Sequence, residues 1–145
     1  MKIDEVILHI GQRELPCVTL QSEISEVIRV MVRFPHTRLV YVVDEQKKLH
    51  GTITVGSLLR YLFPYHYETG IHSRGILRNI TAARAEHIMD RKNVFAAPDD
   101  TVDAVLRRMG RTGVKEMAVI DDDGSIVGDI TAVDLLRYYH LRSKE

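Results

Sequence analysis

The stretch Gly128-Asp129-Ile130-Thr131-Ala132-Val133-Asp134-Leu135-Leu136-Arg137-Tyr138 decides the fold, because the chain carries it twice. Its counterpart, Gly51-Thr52-Ile53-Thr54-Val55-Gly56-Ser57-Leu58-Leu59-Arg60-Tyr61, lies 77 positions upstream (128 − 51 = 77) and is identical at seven of eleven positions. Segments unrelated by duplication do not agree so closely, so one supersecondary unit is used twice.

Outward from the second copy, Met117-Ala118-Val119-Ile120 and 126–130 read as strands joined by a turn at Asp122-Asp123-Gly124. Thr101 reads as the cap of a helix striped by Val102, Val105, Leu106 and Met109, and 94–98 as a short strand before it. Each element has a partner in the first half. Leu39-Val40-Tyr41-Val42-Val43 is a β-branched, near-continuous apolar run, the pattern of a strand buried on both faces, and 49–54 is the next strand. Ile24, Val27, Ile28 and Met31 stripe a helix behind Ser22 as its cap, and Pro35 ends it. Cys17-Val18-Thr19-Leu20 is a short strand. A first helix from Asp4 stops at Gly11 and is echoed at 85–89; another begins at Ser57 and stops at Pro64. The shift between halves is 78 as far as Met31 and 77 from Leu39, which places one extra residue in the loop at Pro35-His36.

The order helix–strand–helix–strand–strand–helix, twice, predicts an α/β fold: two small sheets packed with helices and related by a pseudo-twofold axis. The repeats span 4–61 and 85–140. Between them, 62–84 is polar-aromatic and then basic (Arg74, Arg78, Arg84), and reads as a partly helical connector.

With 145 residues, 45% hydrophobic and 28% charged, the chain has the composition of a globular protein with a substantial core. Its formal net charge of zero supplies no global field for nucleic acid or an anionic membrane. No apolar run is long enough to span a bilayer, and the N-terminus lacks a signal peptide's apolar stretch. The single Cys17 forms no intrachain disulfide, which suits the cytoplasm. No nucleophile elbow, Walker loop or paired-histidine zinc motif occurs, so no catalytic residue is assigned. His66 and His72 have no third ligand at metal spacing, so no metal is assigned either.

The duplicated pattern of strand, Gly-apolar-apolar-Thr, two spacers, Asp and Leu-Leu resembles the cystathionine-β-synthase (CBS) domain, and two in tandem resemble a Bateman module. The resemblance covers nearly the whole chain. It implies two βαββα-type units with a cleft on each side of the pseudo-dyad, and commonly a homodimer of such modules. It also implies a regulatory sensor rather than an enzyme. The ligand implied is AMP, ADP, ATP or S-adenosylmethionine, with no other cofactor, and the action falls on an unidentified partner protein in trans.

The motif's own chemistry leaves two readings. A strand ending in Ile130-Thr131 that feeds a helix at Asp134 gathers a hydroxyl, free backbone N–H groups and a carboxylate at one helix start. The N–H groups favour phosphate, and a carboxylate accepts from both hydroxyls of a ribose. Yet Thr131-x-x-Asp134 is equally close to a capping box that merely satisfies the helix start. The first repeat keeps Thr54 but has Ser57 where the second has Asp134, and serine is no acidic clamp. The second site is therefore expected to be the competent one. The resemblance places a base against backbone near Val18-Thr19 or Ala96-Ala97, and phosphates near Arg38 or Lys115, which sit at matched positions (115 − 38 = 77). Vestigial clefts would instead make the chain a ligand-free dimeric scaffold.

Overall fold

The protein is represented by a computed structural model that describes residues 1–34, 37–64 and 83–143. Among them the order is α1 (Ile3–Ile10), β1 (Cys17–Thr19), α2 (Ile24–Arg33), β2 (Leu39–Val43), β3 (Leu49–Thr54) and α3 (Val55–Leu62). The same six elements follow again as α4 (Ala85–Ile88), β4 (Phe95–Ala96), α5 (Val102–Thr112), β5 (Glu116–Ile120), β6 (Ile126–Thr131) and α6 (Ala132–Ser143). The fold is α/β, with two three-stranded sheets ordered β1-β2-β3 and β4-β5-β6. β1 runs parallel to β2, with Val18 opposite Val42, and β4 runs parallel to β5, with Ala96 opposite Val119. β6 returns antiparallel to β5, placing Thr131 opposite Glu116.

The central strand of each sheet is buried almost throughout, as a continuous apolar run requires. α5 starts at Thr101, whose hydroxyl accepts the Ala104 amide (3.0 Å), and stops at Gly113, the left-handed residue (φ 76°) whose amide closes on Met109. Two helix starts differ from the sequence reading. Ser22 does not cap α2; its hydroxyl turns back to the Thr19 amide (3.0 Å), and Glu23 is the cap, with no side-chain bond. α3 begins at Val55 rather than Ser57, because Thr54 caps it and Ser57 is the third residue of the box.

The chain divides into two compact units, and they cut across the sequence repeats. One comprises Met1–Leu15, Lys47–Leu49 and Val94–Glu145; the other comprises Pro16–Gln46 and His50–Asn93. α1, from the first repeat's sequence, packs on β6 and α6, where Ile3 and Val6 are fully buried beside Ala96, Val105, Met117 and Ile130. α4 packs on β1 and α3, where Ala85 and Met89 join Val18, Val27, Val40, Val42 and Ile53. The glycines that lead the duplicated stretch make these approaches possible. A Cβ on Gly51 would lie 2.7 Å from the Asp90 carbonyl oxygen and 2.8 Å from Met89 Sδ, because 90 and Thr52 exchange two backbone hydrogen bonds. A Cβ on Gly128 would meet only the tip of Ile7, at 3.3 Å. Most of the 62–84 connector, and the extra loop residue at 35–36, lie outside the described residues.

Candidate ligand-binding site

β6 passes into α6 without an intervening loop, and the turn is fixed by reciprocal bonds. The Asp134 amide donates to Thr131 Oγ1 (3.1 Å), and the Thr131 amide donates to Asp134 Oδ2 (2.9 Å). This is the capping box, formed with a carboxylate at its third position. The Ala132 amide donates to the Lys115 carbonyl at 2.8 Å, which sets that exposed lysine beside the helix start. The first repeat builds the same frame: Ser57 N donates to Thr54 Oγ1, Thr54 N to Ser57 Oγ, and Val55 N to the Arg38 carbonyl at 2.8 Å. The two frames differ in what stands at the third position. Ser57 is a half-buried hydroxyl, whereas the side chain of Asp134 is 3% exposed.

A carboxylate so deeply buried needs a cation, and Asp134 has one. Arg13, in the loop after α1, donates from Nη1 to Asp134 Oδ1 (3.0 Å) and from Nη2 to Oδ2 (2.7 Å). Its Nε and Nη2 also reach Oδ1 of Asp129 (3.0 and 2.7 Å), a residue of β6 that is itself buried. Burial pushes the Asp134 carboxyl up, but the Arg13 hydrogen bonds and the Thr131 amide outweigh it, so it stays ionised and below the usual carboxylate range. Hydrogen bonding to Asp134 raises the Arg13 guanidinium against the opposing effect of burial, and Asp129 adds to the rise. The pair is charged on both sides over the whole neutral range.

The remaining candidates fall in two places. Ile130 is fully buried in the core beneath Thr131. Ala96 and Ala97 lie at the other end of β5 from Thr131: Ala96 pairs with Val119, Thr131 with Glu116. Three residues along the strand and two strands across put them roughly 14 Å apart. The Ala96 side chain is fully buried, and the Ala97 amide donates to Asp100 Oδ2 (3.0 Å), which also accepts from Arg108 (2.9 Å). The first sheet repeats the separation. Val18 and Thr19 pair with Val42 and Val43 at the end of β2, while Val55 bonds Arg38 before its start. Val18 is a core residue, and Thr19 is exposed and bonded to Ser22. Each unit thus brings Thr, the third-position residue and the basic residue together, and does not bring the first-strand residues to them.

Sequence reasoning missed Arg13 and Asp129. Arg13 sits in no motif and is separated from its partners by 116 and 121 positions. One signal did exist: Arg13 and Arg91 are spaced by the repeat shift (91 − 13 = 78). Among the described residues no cluster of His, Cys, Asp and Glu is arranged to hold a metal, and no helix is long and apolar enough to cross a membrane. His66 and His72 lie outside the described residues.

Comparison with known proteins agrees with this architecture. The family model described as the CBS domain matches the chain twice, at residues 7–64 and 85–141. The uncharacterized protein MJ1225 of Methanocaldococcus jannaschii is 31% identical over 144 residues, covering 95% of this chain and 49% of its own length. The chain thus spans about half or less of the first curated relatives it matches. Two solved structures share the fold. CBSX2 in complex with AMP has a TM-score of 0.78 at 16% identity, covering 99% of this chain and 98% of its own. The CBS domain pair of protein MJ0100, in complex with 5-methylthioadenosine and S-adenosyl-L-methionine, has a TM-score of 0.70 at 20% identity, covering 98% of each chain. With both repeats matched and the duplicated frame at each helix start in place, the chain belongs to the CBS domain family, as a tandem pair.

Proposed function

We propose that this pair binds an adenosine-containing ligand (AMP, ADP, ATP or S-adenosylmethionine) at the start of α6 and relays its presence to a partner protein in trans. Asp134 is the ribose acceptor, with Thr131 and Ile130 forming the strand-to-helix turn beneath it and Lys115 next to the turn for a phosphate. The observation that carries this reading is the buried, ionised Asp134 carboxylate at the N-terminus of a helix, present in one repeat and replaced by Ser57 in the other. That AMP, 5-methylthioadenosine and S-adenosyl-L-methionine, which share an adenosine, occupy two proteins of the same fold supports it. Val18, Thr19, Ala96 and Ala97 would supply backbone to a base, and Thr54, Ser57 and Arg38 a second, weaker site. The module is proposed to work as a cytoplasmic homodimer.

Thermal unfolding of the wild type and Asp134→Asn with adenine nucleotides, guanine nucleotides and S-adenosylmethionine tests the reading. A ligand at a hundred times its Kd stabilises by about 2.7 kcal/mol, which is a rise of roughly 5–10 °C for a chain of this size. A rise with one adenosine ligand, lost in Asp134→Asn, is the expected result. Flat curves across the panel would favour the second reading, a ligand-free scaffold. The engagement of both Asp134 oxygens within the protein speaks for that alternative.

A further inference from the structure

The acceptor edge of Asp134 is already taken. Oδ1 accepts from Arg13 Nη1, and Oδ2 accepts from Arg13 Nη2 and from the Thr131 amide. A vicinal diol engages a carboxylate by donating one hydroxyl to each oxygen, along the same two-point edge that a guanidinium fork uses. The two occupants exclude one another. Arg13, however, has somewhere to stay, because its Nε and Nη2 are bonded to Asp129 as well, and Nη2 lies 3.3 Å from the Asp129 carbonyl.

We propose that Arg13 is a built-in competitor for the ligand's diol: it closes Asp134 in the unliganded protein and retreats onto Asp129 alone when a ribose enters. The inference rests on the reading of Asp134 as the ribose acceptor and adds the regulation of that site. A tethered competitor lowers the apparent affinity by the fraction of molecules in which it stands open, and so sets the concentration at which the site fills. Arg13 also lies two residues before Leu15, where the chain leaves one compact unit for the other.

The other compact unit makes the same argument from the opposite side. Arg91 is the counterpart of Arg13, Thr52 of Asp129 (129 − 77 = 52) and Ser57 of Asp134 (134 − 77 = 57). With neither carboxylate present, Arg91 is exposed, and its bond among the described residues is a long 3.5 Å one to the Glu86 carbonyl. The arginine goes to the helix start where the two acids are and stays out where they are not. Clamp and competitor form one device, built in a single compact unit.

Calorimetric titration with adenosine and with 2′-deoxyadenosine, on the wild type, Arg13→Lys, Arg13→Gln and Asp134→Asn, tests the proposal. Lysine keeps a positive charge beside both acids but has no planar fork to bridge them, which guards against loss of the fold. Arg13→Lys is expected to bind adenosine at least roughly tenfold more tightly than the wild type, with little gain for 2′-deoxyadenosine, which has no diol. Arg13→Gln should follow in the same direction. In the wild type, the Arg13 Nε–H resonance should shift on saturation with adenosine. An ion pair that is only structural would lower stability without a diol-selective gain. If Asp134→Asn abolishes the preference for adenosine while both Arg13 variants bind no more tightly than the wild type, the competitor is overturned and the acceptor stands. If the wild type shows no preference and Asp134→Asn changes nothing, the acceptor reading fails and the competitor falls with it.

Discussion

Removing the Arg13 guanidinium leaves two carboxylates, 5% and 3% exposed, facing one space, with Asp134 left to the exposed Arg137, whose Nη1 lies 3.9 Å from its Oδ1. Stripping one partner from a fully buried ion pair costs about 3–5 kcal/mol, because the orphaned charge has lost both water and partner. Arg13 itself is 34% exposed, so water enters where it leaves, and the loss for Arg13→Ala falls at the low end, about 3 kcal/mol. At about 3 °C per kcal/mol for a chain of this size, the Tm should fall by about 9 °C at pH 7. The pH dependence sharpens the test. In the wild type, Asp134 titrates below its ordinary 3.8, so its contribution is complete above that value and is lost as pH falls through the depressed folded pKa. In Arg13→Ala the Thr131 bonds still lower the Asp134 carboxyl, but burial and the like charge of Asp129 are no longer offset by the guanidinium, so Asp134 titrates above its wild-type value. As pH falls, the variant thus loses less stability than the wild type does. The Tm gap between the two proteins should therefore narrow from pH 7 towards pH 4. Asp100, also held low by the Ala97 amide and Arg108 against the larger effect of burial, weakens both proteins alike and drops out of the difference. Circular-dichroism melts at half-unit pH steps measure the gap. A gap below about 3 °C at pH 7, or one that stays constant with pH, would refute the account of a cation holding two buried acids apart.

Gly51→Ala should cost about 2 kcal/mol or more in urea unfolding, since its Cβ would meet backbone at 2.7 Å and break the pairing of Thr52 with 90. Gly128→Ala, against the tip of Ile7, should cost less than about 1 kcal/mol; the reverse order would show that the approach at β3 is slack. Thr101→Ala should lose about 1 kcal/mol with the cap of α5. Glu23→Ala, whose side chain makes no capping bond on α2, should lose much less, and equal losses would contradict the assignment. If the module is a homodimer through α6, which exposes Val133, Leu136 and Tyr139, Leu136→Asp should yield a monomer in sedimentation velocity; an unchanged mass would move the interface elsewhere.

The duplicated stretch made the architecture legible because its signals act over a few residues. The apolar run at 39–43, the stripes of α2 and α5 and the Thr-x-x-Asp and Thr-x-x-Ser boxes each specify an element through neighbours in the chain. Where two local partners compete, that reading slips. Ser22 and Glu23 both stand before α2, and the serine is drawn to Thr19 instead of the helix.

The sequence by itself determined the repeat, the order of elements and the chemistry available at each helix start. Only the tertiary structure decided which sheet each short terminal helix covers, and that α1 and α4 pack with the opposite repeat's strands. It alone decided that Asp134 is closed by Arg13, and that the first-strand residues stand at the far end of each sheet from the helix start. The reason is physical. A cap or an amphipathic stripe is settled within one or two turns of chain, whereas a buried carboxylate takes whatever cation the folded chain delivers. Here the cation arrives from more than a hundred residues away, and no local pattern records it.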